Sequence, residues 1–338
     1  MRAVIIPKHG TVDDLRLVDD HPTPTATPGH VVVKVRASSL NYHDIFTLRG
    51  MPGITVPLPV VPGLDIAGEI AEIGEGVEGW NIGDRVLVDP LTERGHLMGE
   101  LLDGGLAEYA LAEAGQLLAL PNEVSFEQAA ALPVAYGTGH RMIVGTKAVQ
   151  PGHKVLVLGA SGGVGTASVL LAKRLGATVV AAAGSDEKGE RLLELGADEF
   201  INYRTQDFYA WTKEHLGKPS RTSYDGGFDV IVNNTGGDTW APTLRSTKRG
   251  GAILVCGATA GYNPPEDLRY VWSFELRIIG SNGFTKDDFH ALLGYVQEGS
   301  FSPVIDSVVG LDGAIDELGR LEHRDFLGKI VIAPWKDA

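Results

Sequence analysis

The chain has 338 residues, of which 43% are hydrophobic, and a formal net charge of −14. Because a single hydrophobic core seldom keeps growing beyond roughly 250–300 residues, this length predicts two domains. The acidic balance predicts a field that repels phosphate backbones and anionic lipid headgroups, which argues against nucleic acid and membrane surfaces as partners. With one cysteine, Cys256, no signal-peptide pattern and no apolar run of the roughly 20 residues that cross a bilayer, we expect a cytoplasmic protein without disulfides.

Short strand patterns broken by glycine and proline fill the first third of the chain. Val31, Val33 and Val35 alternate with other residues, and residues 69–73 and 85–88 are further strand candidates. A strand-rich, barrel-like domain is therefore expected here.

A helix start follows this domain. Ser125 and Gln128 form a capping-box pattern ahead of an alanine-rich run. The predicted helix leads out of the first domain.

Strands and helices alternate from Lys154 onward. The predicted elements, in chain order, are strand 155–158, helix 164–175, strand 178–183, helix 187–195, and strands 229–232, 252–255 and 273–281. Continuous apolar strands of this kind are typical of a parallel, doubly wound sheet that is buried on both faces. Thr285 and Asp288 predict one more helix start, and residues 328–332 predict a strand that returns to the first domain.

A glycine-rich turn separates the first strand of this second region from the helix after it. The turn reads Gly159-Ala-Ser-Gly-Gly-Val-Gly165. Glycines there permit a tight turn and a close approach to a pyrophosphate, while the helix N-terminus supplies N–H groups and a partial positive charge. The strand-turn-helix context predicts a dinucleotide-binding motif. Its residues are Ala160, Ser161, Gly162, Gly163, Val164 and Gly165.

The end of the second strand indicates which dinucleotide binds. NAD sites usually place an Asp or Glu there, but residues 179–184 contain no acid. Ser185 and Lys188 follow, and a hydroxyl and an ammonium suit a 2′-phosphate, so we expect NADPH. In the alternative interpretation Ser185 caps the next helix and Lys188 is a solvated surface lysine; the two roles of Ser185 are compatible.

The nicotinamide is expected beyond the carboxyl ends of the later strands, where open parallel sheets leave their ligand crevice. The residues predicted to lie around it are Asn234, Thr235, Gly257, Ala258 and Thr259.

Several motifs together resemble the medium-chain dehydrogenase/reductase family over essentially the whole chain. They are Pro62-Gly63-Leu-Asp-Ile-Ala-Gly-Glu-Ile70, Gly83-Asp84-Arg-Val, the glycine-rich turn and Leu195-Gly-Ala-Asp198. The resemblance implies an α/β fold with a GroES-like catalytic domain (residues 1–125 plus 285–338), a Rossmann domain (residues 126–284) and substrate in the cleft between them. Quinone oxidoreductases of this family hold the NADPH phosphate with a lysine, a tyrosine and a C-terminal arginine, and the residues here that resemble these are Lys188, Tyr203 and Arg324.

Zinc-dependent members of the family differ from this chain at their metal ligands. The resemblance places Asn41, Leu64 and Val134 where those members carry cysteine, histidine and a later cysteine or aspartate. Leucine and valine cannot ligate zinc, a lone amide is a poor ligand, and residues 90–105, in place of the four-cysteine loop, contain no cysteine. We therefore expect neither a catalytic nor a structural zinc.

His43 and Asn41 are the first two candidate catalytic residues. His43 lies near where zinc-dependent relatives carry a proton-relay hydroxyl, and a neutral imidazole there is expected to donate to a developing enolate. The alternative is a histidine held in a loop network with Asp44 or Asp65. Asn41 is expected either to bind a carbonyl oxygen or to hold the loop shape.

Tyr42 and Tyr136 complete the candidate catalytic set. Each is expected to act as a proton donor, as a ring that stacks on substrate, or simply as pocket lining. His140 and Lys329 are further candidates.

Loss of the metal favours one class of reaction. Reducing an isolated carbonyl without a Lewis acid leaves an alkoxide for the protein to stabilise, whereas hydride addition to a conjugated double bond spreads the charge into an enolate. We therefore expect an NADPH-dependent reductase of small electrophiles such as quinones, enones or enoyl thioesters. The alternatives are a zinc-independent alcohol or ketone dehydrogenase, and a non-catalytic NADPH-binding protein like the crystallins of this family.

A homodimer is expected. Residues 273–281 resemble the sheet edge through which family members pair, and a bare edge strand is a liability.

Overall fold

A computed structural model describes residues 1–336 and contains two compact units. The terminal unit comprises Met1–Ala135 and the chain from Phe289 onward, and the middle unit comprises Tyr136–Asp288. The boundaries between the units follow Ala135 and Asp288, whereas the predicted boundaries followed residues 125 and 284. The helix that begins at Phe126 belongs to the terminal unit, and the carbonyl of its last residue, Ala130, lies 2.8 Å from Ser39 Oγ of that unit.

The chain forms fifteen strands and ten α-helices within residues 1–336. The strands are β1 (Ala3–Ile5), β2 (Arg16–Val18), β3 (His30–Ser39), β4 (Asp65–Ile73), β5 (Arg85–Val88), β6 (Tyr109–Glu113), β7 (Leu117–Ala119), β8 (Lys154–Val157), β9 (Thr178–Ala183), β10 (Glu199–Asn202), β11 (Phe228–Val232), β12 (Thr247–Val255), β13 (Arg277–Gly280), β14 (Ile305–Val309) and β15 (Lys329–Ile332). The helices are α1 (Tyr42–Arg49), α2 (Phe126–Ala130), α3 (Thr138–His140), α4 (Gly163–Arg174), α5 (Asp186–Glu194), α6 (Phe208–His215), α7 (Trp240–Ser246), α8 (Leu268–Ser273), α9 (Lys286–Gln297) and α10 (Ala314–Glu322). Within residues 1–336, no helix combines the length and the apolar character needed to cross a bilayer.

The terminal unit is built around one sheet centred on β3. The strand order is β14-β15-β3-β4-β5-β7, with β6 also paired to β3, while β1 and β2 form a separate pair. Val31, Val33 and Val35 point into a core with Ile66 and Val86, as their alternation predicted. β15 pairs antiparallel with β3, so the predicted return of the C-terminal segment to the first domain is confirmed.

The middle unit contains a parallel sheet in the order β10-β9-β8-β11-β12-β13. This is the order of a doubly wound dinucleotide-binding sheet, in which the chain reverses direction across the sheet between β8 and β11. Val155, Leu156 and Val157 of β8 are fully buried, because strands at the centre of such a sheet are covered on both faces. The predicted Rossmann fold is confirmed.

The predicted strand 273–281 is wrong over its first half. Helix α8 ends at Ser273, and only Arg277–Gly280 form a strand. Asp267 caps the helix by accepting a hydrogen bond from Arg269 N at 3.1 Å, and the rings of Tyr270 and Phe274, one helical turn apart, stack with their centroids 5.5 Å apart. Tyr270 and Phe274 therefore pack together along one face at the end of this helix.

Candidate functional site

The glycine-rich turn connects β8 to α4 in the middle unit. Gly159 has a φ of +61°, a conformation that glycine adopts without strain, and Gly162 is the N-cap of α4. A Cβ on Gly165 would lie 2.2 Å from Gly159 O, so glycine is required for the helix to approach the strand this closely. The first N–H groups of α4, which have no partner inside the helix, therefore fit a phosphate group.

The loops after β11 and β12 lie beside this turn. A Cβ on Gly159 would lie 3.5 Å from Asn234 Oδ1 and 3.6 Å from Thr235 Oγ1. Thr259 N donates a hydrogen bond to Asn234 O at 3.2 Å, which joins the two loops. The structure thus brings the predicted nicotinamide-binding segments 234–235 and 257–259 together with the phosphate-binding turn.

Polar side chains gather around Gly184 at the end of β9. A Cβ on Gly184 would lie 2.7 Å from Tyr203 Oη and 3.5 Å from Arg204 Nε. Ser185 Oγ accepts a hydrogen bond from Lys188 N at 3.3 Å and caps α5. Ser185 therefore has the capping role, which leaves its predicted role at a phosphate open because one hydroxyl serves both.

Arg204 was not predicted as a site residue. It follows Tyr203 directly, and both follow β10, the strand beside β9 in the sheet. Because adjacent parallel strands end at the same edge, a basic residue after β10 was a signal for a side chain near the end of β9.

Asp186 is the carboxylate that comes soonest after β9 in the sequence. Its Oδ1 accepts a hydrogen bond from Asn202 Nδ2 at 2.8 Å. Asp186 lies in the first turn of α5, and this bond holds its carboxylate against the end of β10. The end of β9 itself carries no acid.

A buried polar cluster around Asp65 lies in the terminal unit. Asp65 Oδ2 accepts hydrogen bonds from Ser39 Oγ at 2.6 Å, Asn41 Nδ2 at 2.8 Å and Lys329 Nζ at 3.2 Å. Lys329 Nζ also donates to Asn41 Oδ1 at 2.6 Å. Burial lowers the pKa of Lys329, and the neighbouring Asp65 carboxylate opposes that shift.

The same cluster binds the backbone of the helical segment that ends the unit. Ser39 Oγ lies 2.8 Å from Ala130 O and shares its one hydrogen between that carbonyl and Asp65 Oδ2, and Val134 N donates to Asp65 Oδ1 at 2.9 Å. In an α-helix Val134 N would donate to Ala130 O, four residues earlier. Here residues Leu132–Gly137 are π-helical, so that hydrogen bond is not formed. The two side chains therefore satisfy the groups that the wider turn releases.

Asn41 is fully engaged in this cluster. Its Nδ2 donates to Asp65 Oδ2 and to Ser39 O, the latter at 3.3 Å, and its Oδ1 accepts from the Lys329 ammonium. Of the two predicted roles of Asn41, these contacts describe the one that holds the loop.

The three positions that match zinc ligands provide no metal cage. Asn41 is bound as above, Leu64 is 1% exposed in the core, and Val134 contributes its backbone N–H to Asp65. Among residues 1–336, no group of three or more His, Cys, Asp or Glu side chains is arranged to hold a metal ion.

His43 pairs with a residue that sequence reasoning missed. His43 Nε2 lies 2.6 Å from Glu100 Oε2. The predicted alternative partners, Asp44 and Asp65, are wrong: the Asp44 carboxylate accepts hydrogen bonds from Asn41 N and Gly63 N instead. No local pattern pointed to Glu100, because the pair is separated by 57 residues.

Tyr42 and Tyr136 both make packing contacts. The Tyr42 ring meets Phe46 edge to face with centroids 5.2 Å apart, and Arg324 Cζ lies 5.9 Å from its centroid. Tyr136 is fully buried, with its Oη 3.3 Å from Thr166 Oγ1. These contacts are packing contacts, and they leave the predicted roles of the two tyrosines as proton donors, stacking rings or pocket lining open.

Arg324 and His140 complete the predicted residues. Arg324 belongs to the terminal unit, whereas Lys188 and Tyr203, predicted to share the phosphate with it, belong to the middle unit. His140 Nδ1 lies 2.6 Å from Asp288 Oδ1, and both side chains are buried.

Asp44 gives this part of the chain a testable pH dependence. Burial raises its pKa to about 6, although hydrogen bonds from Asn41 N and Gly63 N oppose the shift. In an unfolded chain the pKa of an Asp is ~3.9, so folding favours the protonated form of Asp44. The contribution of Asp44 to the free energy of unfolding therefore falls as pH rises from about 4 to 6. Between these pH values we expect the wild type to lose about 2–3 kcal/mol relative to Asp44→Asn, measured by urea unfolding. Parallel curves for the two proteins would contradict this assignment.

Comparison with known proteins identifies relatives over nearly the whole chain. The family model "Alcohol dehydrogenase GroES-like domain" matches residues 27–122, and the model "Zinc-binding dehydrogenase" matches residues 163–298. The quinone oxidoreductase of Homo sapiens is 31% identical over 331 residues, which cover 96% of this chain and 94% of that protein.

Solved structures of similar proteins share the fold. A structure described as an NAD-dependent alcohol dehydrogenase matches with a TM-score of 0.90 at 34% identity, over 98% of this chain and 99% of that one. The 2-octenoyl-CoA carboxylase reductase CinF, in complex with NADP and 2-octenoyl-CoA, matches with a TM-score of 0.84 at 26% identity, over 97% of this chain and 84% of that one.

Proposed function

The chain belongs to the medium-chain dehydrogenase/reductase family of oxidoreductases, and on that premise we propose that it transfers hydride from NADPH to an activated double bond without zinc. The observation that carries the proposal is the end of β9, where Tyr203 and Arg204 flank Gly184 and residues 179–184 contain no acid. The proposed substrates are small electrophiles: quinones, enones or enoyl thioesters.

The groups around Gly184 support NADPH over NADH. The Arg204 guanidinium and the hydroxyls of Tyr203 and Ser185 suit a phosphate, because charge-assisted hydrogen bonds to phosphate oxygens are strong. An acid at the strand end would favour the free ribose hydroxyls instead. The NADP bound to CinF agrees with this preference, whereas the similar alcohol dehydrogenase is described as NAD-dependent.

Arg204→Ala tests the cofactor preference. Removing one charged contact to the 2′-phosphate should lower kcat/KM for NADPH by about 10–100-fold and leave kcat/KM for NADH within about twofold. Lys213→Ala is a matched control, because Lys213 is an exposed cation of the same unit that lies 4.8 Å from the Tyr209 ring. Equal losses with both cofactors would show that Arg204 does not contact the phosphate.

The Lys329 ammonium supports a reaction without zinc. It lies 2.6 Å from the oxygen of Asn41, the residue that matches a zinc ligand. A divalent cation on that oxygen would face a positive charge at close range in a buried site, where Coulomb repulsion is weakly screened.

Without a metal, the side chains of the protein must handle the proton and the developing negative charge. NADPH supplies the hydride. In the proposed reaction the hydride adds to the β-carbon, the electron pair moves to the carbonyl oxygen as an enolate, and a proton then completes the reduction. His43, whose side chain is 29% exposed, is proposed to deliver that proton.

One assay separates the candidate functions. NADPH and NADH oxidation is measured with quinones, enones, enoyl thioesters and simple ketones, and metal content is determined on the same sample. Similarity to an alcohol dehydrogenase favours a second candidate, a zinc-independent alcohol or ketone dehydrogenase. Turnover confined to simple ketones would support this second function, while stoichiometric zinc or a wide preference for NADH would refute the first. A His43→Phe variant with full turnover would remove His43 from the mechanism.

A homodimer is proposed as the form of the enzyme. β13 is the last strand of the middle-unit sheet, and Ile278 on it is 42% exposed. Trp272 and Leu268 on the preceding helix are 70% and 65% exposed. Apolar side chains beside an open sheet edge favour pairing with a second copy. A mass equal to one chain in light scattering would refute the dimer.

A further inference from the structure

Glu100 is a buried carboxylate that lies against a partly exposed imidazole. Its Oε2 lies 2.6 Å from His43 Nε2, and the two side chains are 6% and 29% exposed. A buried carboxylate is costly unless hydrogen bonds or an opposite charge compensate it. Among residues 1–336 the His43 ring is the side chain that provides this compensation.

Both segments that carry the pair are fixed against the backbone of Gly63. Asp44, next to His43 on α1, accepts a hydrogen bond from Gly63 N at 2.9 Å. Gly99, next to Glu100, has a φ of +73° and lies so close to Gly63 that a Cβ on it would be 2.9 Å from Gly63 N. The backbone therefore holds the two side chains in contact.

The chemistry of the two groups determines which ring nitrogen is committed. An ionised carboxylate accepts hydrogen bonds and cannot donate them, so the hydrogen between the pair belongs to His43 Nε2. In the neutral ring Nδ1 then has a lone pair and no hydrogen, and within the described part of the chain Nδ1 has no hydrogen-bond partner.

From this geometry we infer that Glu100 is a positioning residue for His43. Glu100 engages Nε2 of His43 in a hydrogen bond, which leaves Nδ1 as the ring atom that exchanges a proton with the substrate. The inference rests on the proposed function, to which it adds the identity of the proton-transfer atom and the residue that selects it.

This assignment changes the protonation state expected of His43. A neutral ring cannot donate to the enolate, because its N–H is bound to Glu100. In the reducing direction the ring takes a second proton from water at Nδ1, gives that proton to the enolate and returns to the neutral form. The hydride from NADPH and this proton together complete the two-electron reduction of the double bond. In the oxidising direction the neutral ring accepts a proton at Nδ1.

Glu100→Met tests the inference by removing the acceptor. In protein labelled with ¹⁵N-histidine, the wild type should show a slowly exchanging, downfield Nε2–H proton that is absent in His43→Phe and so belongs to His43. Glu100→Met should lose this signal, and kcat should fall by about 10–100-fold with an unchanged KM for NADPH, as for other residues that orient a functional histidine. Glu93→Met is the control, because Glu93 is an exposed glutamate of the same loop, and it should keep both the signal and the activity.

Glu100→Asp provides a second variant that keeps the charge and shortens the side chain by one methylene. It should also lose the signal, because the carboxylate no longer reaches Nε2. Absence of the signal in the wild type, its persistence in Glu100→Met, or its loss with unchanged turnover would each overturn the inference. Failure of the proposed function gives a different result: no acceptor oxidises NADPH, while the proton signal still reports the pair.

Discussion

Replacing Lys329 with methionine should lower the free energy of unfolding by about 3–5 kcal/mol, because the substitution leaves the Asp65 carboxylate buried without a countercharge. Asp65 is fully buried and Lys329 is 2% exposed, so water cannot replace the lost ammonium. Guanidinium unfolding followed by circular dichroism measures the change.

Two further variants make this result specific to the buried pair. Lys8→Met breaks an ion pair with Asp14 in which the lysine is 71% exposed, and it should cost at most about 1 kcal/mol. Adding Asp65→Asn to Lys329→Met removes both charges and should restore part of the loss. Equal effects of Lys329→Met and Lys8→Met would show that burial of the pair contributes nothing.

Gly165→Ala should weaken NADPH binding by about 100-fold or more, because the last glycine of the turn permits the close packing on which the phosphate site depends. The added Cβ would lie 2.2 Å from Gly159 O and 2.6 Å from Ala160 Cα, and both are backbone atoms that move only if the turn opens. Fluorescence titration with NADPH measures the affinity.

A second glycine-to-alanine substitution controls for the change in helix propensity. Gly294 lies within α9, and a Cβ on it would meet no atom within 4 Å. Gly294→Ala should therefore leave NADPH affinity unchanged and slightly stabilise the helix. A Gly165→Ala variant that binds NADPH as tightly as this control would mean that the turn is not the phosphate site.

Patterns within a few residues of one another predicted the elements that short-range contacts determine. The capping box is an example: Gln128 N donates to Ser125 Oγ and Ser125 N donates to Gln128 Oε1, each at 3.1 Å. The glycine-rich turn is another, because its glycines meet the backbone of the same turn. Both features depend on residues that are close together in the chain.

Partners that are distant in the chain were not predictable in the same way. His43 was assigned to nearby carboxylates, yet its partner is 57 residues away, and Asn41 meets Lys329 across 288 residues. Both contacts depend on how the strands and loops of the terminal unit come together. The candidate residues were therefore identified from the sequence, while the atoms available for chemistry were defined by tertiary contacts.

The discontinuous terminal unit has a consequence for biosynthesis. β15 lies between β14 and β3 in the sheet, and it carries the ammonium that neutralises Asp65. A nascent chain that has passed Ala135 still lacks this strand and this countercharge, whereas the middle unit is one continuous segment. Since domains generally fold as units during synthesis, we expect the middle unit to reach its native state first. The terminal unit, although its first segment is made earlier, can complete its sheet only after β14 and β15 have been made.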